Sequence, residues 1–535
     1  MATTVGNRVE SDAKVLESYL GGKWQAGAGQ GSALVNPTTG DIVAWASSKG
    51  LDLSASLGYS RNVGGLELRK LSYAQRAELL GKIADALAVR RDEWFEIARK
   101  NSGNTKADAI IDVDGSIGTL KYFAKIGSKL GDAHLLRDGS PLRLARDPNF
   151  QGLHVGVALD GVAVQINAFN FPAWGLWEKA AISLLAGVPV LAKPATSTAW
   201  LAQEMVSEVI AANILPPGAL SILCGSPNDL LDHLQLGDAV AFTGSADTAE
   251  AIRRHPRIIQ QSIRVNIEAD SLNSALLGPD AAPDSAIFGF FAREVVREMT
   301  LKSGQKCTAI RRVLVPDDHE QSAIDAISAL LKMTVVGDPA NALVSMGPVV
   351  NMAQRKSIAE GIAQLNRRAD VAYQPDNFAP LDADIGRGAF VAPMLLRARE
   401  KGNDDVIHEI EVFGPVATVI PYRDKAEAFA LARRGGGSLA ASVFSGDTAF
   451  LAEAAVALGT THGRLLLVDP TIGDSHTGHG IVLPSLMHGG PGRAGGGEEL
   501  GGLRGLWFYH QRVAMQGSAT TLSAIAAQAA DPAAE

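Results

Sequence analysis

Between residues 74 and 269, short apolar runs alternate with amphipathic stretches, and this alternation restricts the possible folds more than any other feature. Residues 74–90 (AQRAELLGKIADALAVR) place apolar side chains at 77, 80, 83, 84 and 87, which is one face of a helix. Residues 161–166 read as a strand, following a hairpin expected over 142–158. The segment NAFNFPAWGLWEKAAISLLAG predicts a helix with Pro172 near its start and Gly187 at its end. A buried strand is expected at 188–192, a helix at 199–212, strands at 220–224 and 238–243, and a further helix from about Ser245. Strands buried on both faces and alternating with helices imply an α/β fold with a parallel sheet covered on each side. After residue 280 the pattern returns at 313–315, 334–336 and 416–421, which predicts a second α/β domain. The alanine-rich tail after Ser518 is expected to be peripheral.

Composition excludes several classes. Lys+Arg number 49 against 57 Asp+Glu, a net charge of −8, which is the wrong sign for a nucleic-acid partner. Two cysteines, Cys224 and Cys307, are too few to frame 535 residues with disulfides. The most apolar stretch, 180–192, is interrupted by Ser183 and Gly187 and closed by Lys193, so no membrane span is expected. The N-terminal segment has no apolar core of a signal peptide, and a cytoplasmic location is the expectation. Of the 56 glycines, nine fall within 488–505 (HGGPGRAGGGEELGGLRG), a density that calls for an explanation.

Four positions carry the residue types that chemistry needs. Cys307, in SGQKCTAIRR, has a cation beside it in Lys306, and helical residues are expected after Thr308; both features lower a thiol pKa. A lone cysteine is more commonly a buried structural thiol, the reading given to Cys224. Asn170, before Pro172, can cap the following helix or donate to an oxyanion, and capping is the simpler local role. Glu268, at a strand end, is a solvated carboxylate or a general base. Ser245 caps a helix whose N-terminus suits an anion, although Asp247 opposes it. Neither a GxGxxG fingerprint nor a Walker A loop is present. His476, His479 and His488 read as exposed loop imidazoles, and no metal site is assigned.

Taken in order, the short motifs are more telling. Asn170-Phe171-Pro172, Lys193-Pro194-Ala195, Phe242-Thr243-Gly244-Ser245, Glu268, Gly304-Gln305-Lys306-Cys307 and Glu411-Val412-Phe413-Gly414-Pro415 follow one another. This series resembles the aldehyde dehydrogenase superfamily, from SYLGGKW near residue 18 to QRVAMQG near residue 511. The resemblance implies a Rossmann-type cofactor domain (1–141 and 161–271), an α/β catalytic domain (272–480) and a small β oligomerisation arm (142–160 and 506–518). It makes 481–505 an ordered glycine-rich loop across the active-site mouth. Cys307 would be the nucleophile, Glu268 the general base, and Asn170 part of the oxyanion hole. Ile166, Asn167, Lys193, Thr196, Phe242, Gly244, Ser245, Glu411 and Phe413 would contact a nicotinamide cofactor, and Glu499 would lie near the substrate. At least a homodimer is implied.

Two departures from the family pattern carry expectations. Ala269-Asp270-Ser271 replaces the usual Leu-Gly-Gly, and Asp270 is expected to raise the pKa of Glu268 by like-charge repulsion. Thr196 stands where NAD-using members often place Glu; a hydroxyl beside Lys193 accepts a 2′-phosphate that a carboxylate repels, so NADP is the expected cofactor. The phrases INAFNFP, EADSLN, REVVREMTLKSGQKCTAIRR, THGR and HGGPGRAGGGEELGGLR are similar to two branches of the family. One acts in phenylacetate ring opening and the other, on a CoA-linked semialdehyde, in aerobic benzoyl-CoA degradation. The former is a fusion with a hydratase domain, and a chain of this length is expected to match the stand-alone branch. The implied substrate is a CoA-linked semialdehyde, 3,4-dehydroadipyl-CoA semialdehyde, oxidised to the acid. A general aliphatic or a CoA-acylating dehydrogenase is the alternative.

Overall fold

The computed structural model describes residues 13–399 and 406–532. Two seven-stranded sheets form its frame. In the first, strands lie in the order Arg264–Glu268, Ala239–Thr243, Ala163–Ile166, Val190–Lys193, Leu220–Ile222, Ser18–Leu20 and Lys23–Gln25. The first five of these pair in parallel, and the last two add an antiparallel hairpin at one edge. Residues 163–165, 190–192, 220–222 and 239–242 are buried, as strands covered on both faces require. The chain starts this parallel set in the middle, at Ala163–Ile166, and winds outward in both directions. A crevice therefore opens between the carboxyl ends of Ala163–Ile166 and Ala239–Thr243, where doubly wound sheets bind ligands.

Helices cover this sheet as the patterning demands. Tyr73–Val89 starts at a capping box between Ser72 and Gln75 and buries Ala77, Leu80, Ile83, Ala84 and Leu87, the residues of the apolar stripe. Trp174–Ala186 ends at Gly187, whose φ of +88° suits a residue without a Cβ. Every residue of this helix from Leu176 to Ala186 is buried, including Glu178 and Lys179.

The second sheet has the order Ala369–Tyr373, Met394–Ala398, Val416–Tyr422, Arg312–Pro316, Ser274–Leu277, Ser438–Phe444 and His462–Val468. The strands expected at 313–315 and 416–421 belong to it, but the one expected at 334–336 does not. There Val336 makes an isolated bridge to Met346, and the chain is diverted at Gly337, which is packed against Leu381.

A separate four-stranded sheet orders His510–Ser518, Phe150–Ala158, Leu135–Arg143 and Ala529–Ala530. The hairpin thus begins at Leu135 rather than at residue 142, because Leu136 is buried and pairs with Gly156. The tail after Ser518 is not peripheral. Helix Ala519–Ala526 sets Leu522 against Leu153 and Val155, and Ala529–Ala530 completes the sheet. Among the described residues, no helix is long and apolar enough to cross a membrane.

Candidate active site

The carboxyl ends of the first sheet deliver Ile166, Lys193, Thr243 and Glu268 to one edge. Facing them, Cys307 completes a pocket that is also lined by Asn170, Trp174, Thr243, Glu268 and His488. Residues 170, 268 and 307, far apart in sequence, share this one space.

The loop bearing Cys307 is bent sharply. Lys302, Ser303 and Gly304 have φ of +52°, +55° and +69°, a left-handed run that costs a non-glycine residue about 1 kcal/mol or more at each position. Surrounding bonds over-determine it. The carboxylate of Asp108 accepts from Lys302 N–H at 2.7 Å, and the Ser303 hydroxyl donates to Gly347 O at 2.7 Å. Gly304 packs against the Gly414 carbonyl so closely that a Cβ would lie 2.2 Å from it. Asn273 Nδ2 donates to Cys307 O at 2.7 Å and to Ala309 O at 3.1 Å. The backbone of Cys307 is therefore held by a buried amide, not by helix propensity.

Neither expected thiol-lowering feature operates. Lys306 turns away and its Nζ donates to both carboxylate oxygens of Glu298, at 2.7 and 2.8 Å, and no helix follows Thr308; the chain enters strand Arg312–Pro316 instead. Burial pushes the Cys307 thiol well above its usual range, and the Glu268 carboxylate, which accepts from it, pushes the same way. Cys224 is fully buried and likewise pushed up to about 12, as a structural thiol should be.

Glu268 ends strand Arg264–Glu268, and the glycine-rich segment clamps it from behind. Gly497 N–H donates to Ile267 O at 3.1 Å, and Ala269 N–H donates to Ala494 O at 2.9 Å. A Cβ on Gly497 would come within 2.4 Å of the Ile267 carbonyl, so only glycine permits this approach. The same segment forms a two-stranded ladder, Met487–Gly489 against Glu498–Leu500, that pairs His488 with Glu499. His488 Nε2 reaches Glu268 Oε2 at 3.1 Å. Burial alone pushes Glu268 up, but His488, then Lys179 and the Cys307 thiol, outweigh it and hold the carboxyl down to about 2.

This corrects the expectation for Asp270. Its Oδ1 accepts from Ala246 N–H at 3.0 Å, and Oδ2 lies 3.8 Å from Arg493 Nη2, so its charge is turned away from Glu268. The repulsion falls on Glu411 instead. Burial first, with Asp270 adding to it, pushes Glu411 up to about 7 against the opposing pull of Arg311.

Asn170 does not cap the helix after it. Asp112 takes that role, its Oδ1 accepting from Trp174 N–H at 2.8 Å, and Asn170 is left buried on the pocket wall. Asp112 is brought there by residues 110–114, where the helical chain widens into a π turn.

Around the crevice, Ser245 caps helix Ala246–Arg253 through Thr248 N–H. Thr196 Oγ1 lies 2.8 Å from Ser226 Oγ, at the end of the strand that carries Lys193. Phe242 is buried against Gly244. Phe413 meets Phe169 edge-on at 5.7 Å, under the guanidinium of Arg311. Glu499 is not in the Cys307 pocket. It lines an adjoining cavity and pairs with Lys179 at 3.0 Å and Asn266 at 3.0 Å, while Glu178 lines both spaces.

A sequence profile of the aldehyde dehydrogenase family matches residues 24–480. The chain belongs to the aldehyde dehydrogenase family. Its sequence is 51% identical over 477 residues to the 3,4-dehydroadipyl-CoA semialdehyde dehydrogenase of Aromatoleum evansii, covering 89% of this chain and 93% of that one. Protein MaoC of Klebsiella aerogenes is 43% identical over 184 residues, covering 34% of this chain and 53% of that protein. The fold matches a Bacillus cereus aldehyde dehydrogenase solved as its NAD+ complex, with TM-score 0.80, 20% identity and coverage of 95% and 97% of the two chains.

In this aldehyde dehydrogenase, sequence reading missed His488 as the partner of Glu268, Asp112 as the helix cap, and the buried cluster Glu178–Lys179–Glu499. It also reversed two exposures: His479 and His488 are 1% and 3% exposed. The Glu178-Lys179 pair was detectable, since it is the only charge in an otherwise apolar helix, WGLWEKAAISLLA. His488 gave no such signal.

Proposed function

We propose that this enzyme oxidises a CoA-linked semialdehyde, 3,4-dehydroadipyl-CoA semialdehyde, to the carboxylic acid in aromatic-compound degradation, with NADP as cofactor. The observation that carries the chemistry is the Cys307 thiol held against the Glu268 carboxylate in a pocket shared with Asn170. The substrate class rests on the likeness to the Aromatoleum evansii enzyme over most of both chains.

Cys307 loses its proton to solvent and attacks the aldehyde carbon as the thiolate. Asn170 and the backbone N–H of Cys307 stabilise the resulting oxyanion, a contribution of about 3 kcal/mol for a fixed donor. The cofactor, when bound, supplies the hydride acceptor that turns the thiohemiacetal into a thioester. Glu268 then takes a proton from water, which hydrolyses the thioester and frees Cys307. A base in contact with the nucleophile favours hydrolysis over transfer to a second thiol.

The crevice suits a dinucleotide. Thr243 Oγ1 and both amide atoms of Asn167 are buried without hydrogen-bond partners, available to a ligand at the sheet's carboxyl edge. Glu411 and Phe413 would hold the nicotinamide ribose, and Ile166, Phe242, Gly244 and Ser245 would line the rest of the crevice. Lys193, Thr196 and Ser226 offer an amine and two hydroxyls to a 2′-phosphate. The exposed apolar residues Leu142, Leu144 and Phe150 of the arm fit a homodimer contact. A panel of CoA-linked semialdehydes and free aldehydes, each with NADP and NAD, tests the reading. Equal kcat/KM for free and CoA-linked aldehydes would remove the substrate assignment.

A further inference from the structure

Cys307, Glu268 and His488 also form a three-way arrangement that no step of the proposed oxidation uses as a set of metal ligands. Their thiol sulfur, carboxylate oxygen and imidazole nitrogen all lie within 4.8 Å of one another, the one such group of three among the described residues. Zn–S bonds of about 2.3 Å and Zn–N or Zn–O bonds of about 2.0 Å put tetrahedral ligands roughly 3.3–3.6 Å apart. The 3.1 Å between His488 Nε2 and Glu268 Oε2 is already close to such an edge.

We infer that this trio is a capture site for a thiophilic divalent cation of the Zn2+ class, which silences the enzyme reversibly. A thiolate, a carboxylate and a neutral imidazole cancel the charge of the cation, so the complex is neutral; Phe171, Trp174 and Val482 wall the pocket, together with Glu178 and Lys306. Binding replaces the S–H bond of Cys307 with a metal–sulfur bond and releases one proton to solvent; nothing is oxidised or reduced. The fourth position faces the pocket and takes water. His488 Nδ1 is buried without a partner, so the outer hydrogen bond that orients a metal-ligating histidine is missing. Such bonds are worth about 10–100-fold in affinity, which makes this a reversible site rather than a structural one. The sequence reading assigned no metal here because it placed His488 on an exposed loop.

Silencing rests on the proposed roles of Cys307 and Glu268; binding does not. The test is titration of the full-length, cofactor-free enzyme with Co2+, followed by competition with Zn2+. One equivalent should produce a cobalt–thiolate charge-transfer band that Zn2+ displaces and Cys307→Ser abolishes. His488→Phe should weaken Zn2+ binding at least about tenfold, and a chelator should restore the activity of Zn2+-treated wild type. Absence of the band in wild type, or unchanged Zn2+ affinity in a natively folded His488→Phe, overturns the inference. Should that variant not fold, X-ray absorption of the Zn2+-loaded wild type must show one sulfur and at least one imidazole; sulfur alone overturns it. Metal binding by an enzyme that oxidises no aldehyde would leave the site standing and remove the proposed function instead.

Discussion

His488 Nε2 stands 3.1 Å from Glu268 Oε2, and both side chains are almost fully buried. The contact joins the end of a strand of the first sheet to the ladder of the glycine-rich segment. It also sets the charge of the carboxylate that touches Cys307. Removing it should move the acid limb of the pH profile. His488→Phe takes away the strongest favourable partner of Glu268 and leaves the burial that pushes the carboxyl up from about 2. Glu268 must be ionised to accept a proton, so kcat/KM should fall at acid pH and recover at alkaline pH. The limb should rise by about one pH unit or more, roughly tenfold in rate on the acid side. A uniform loss at all pH values would show a merely structural role.

Glu268→Gln should have opposite effects on turnover and on thiol reactivity. Burial and the Glu268 charge both hold the Cys307 thiol up. Removing the charge lowers it, so alkylation by iodoacetamide at pH 8 should quicken by about tenfold or more, the thiolate fraction rising as the thiol pKa falls. Steady-state oxidation should collapse at the same time. Slower alkylation would mean that the carboxylate acts mainly as the acceptor of the thiol proton.

With NADP as the proposed cofactor, Thr196→Glu should shift the preference toward NAD. A carboxylate beside Ser226 repels a 2′-phosphate and accepts from ribose hydroxyls. NADP kcat/KM is expected to drop by more than about tenfold, with NAD unchanged or improved, a difference of ~1.4 kcal/mol or more. An unchanged ratio would place the discrimination elsewhere.

Glu411 should make cofactor affinity pH-dependent if it holds the nicotinamide ribose as proposed. Pushed up to about 7, its carboxyl is charged above that pH and neutral below it. If the charged form accepts from the nicotinamide ribose, cofactor Kd should be flat at alkaline pH and rise below pH 7, approaching roughly tenfold for each further drop of one in pH. Fluorescence titration from alkaline to mildly acid pH measures this, and Glu411→Gln should flatten the curve.

Gly497→Ala should damage catalysis through the backbone. Its new Cβ would press within 2.4 Å of Ile267 O, which must move by several tenths of an ångström. The neighbouring residue is Glu268. A kcat loss of at least about tenfold with little change in cofactor Kd is expected; equal losses in both would indicate general misfolding.

Much of the architecture was legible in the sequence. Strands buried on two faces are uniformly apolar, and helices such as Tyr73–Val89 carry a stripe at every third or fourth residue, so both read without tertiary knowledge. The run at 334–336 failed because a threonine and two valines before a glycine fit a bridge as well as a strand. The tail after Ser518 failed because alanine-rich polar segments disclose little about a partner surface, which here is the arm sheet. Within the site, residue identities were readable and contacts were not. Local reasoning aimed Lys306 at Cys307, Asn170 at the helix end and Asp270 at Glu268. Each is occupied or turned elsewhere, because Glu298, Asp112 and the Ala246 N–H lie where sequence neighbours do not.

The sequence by itself determined the family, the parallel sheet and the presence of Cys307, Glu268 and Asn170 in their order. Those properties depend on side-chain type and spacing along the chain. Only the tertiary structure decided how the groups are charged and what holds them: a thiol pushed up, a carboxylate held down by His488, and a glycine segment wound against strand Arg264–Glu268. Charge interactions fall with distance through space and grow as water is removed. Neither quantity is written in the spacing of residues along the chain.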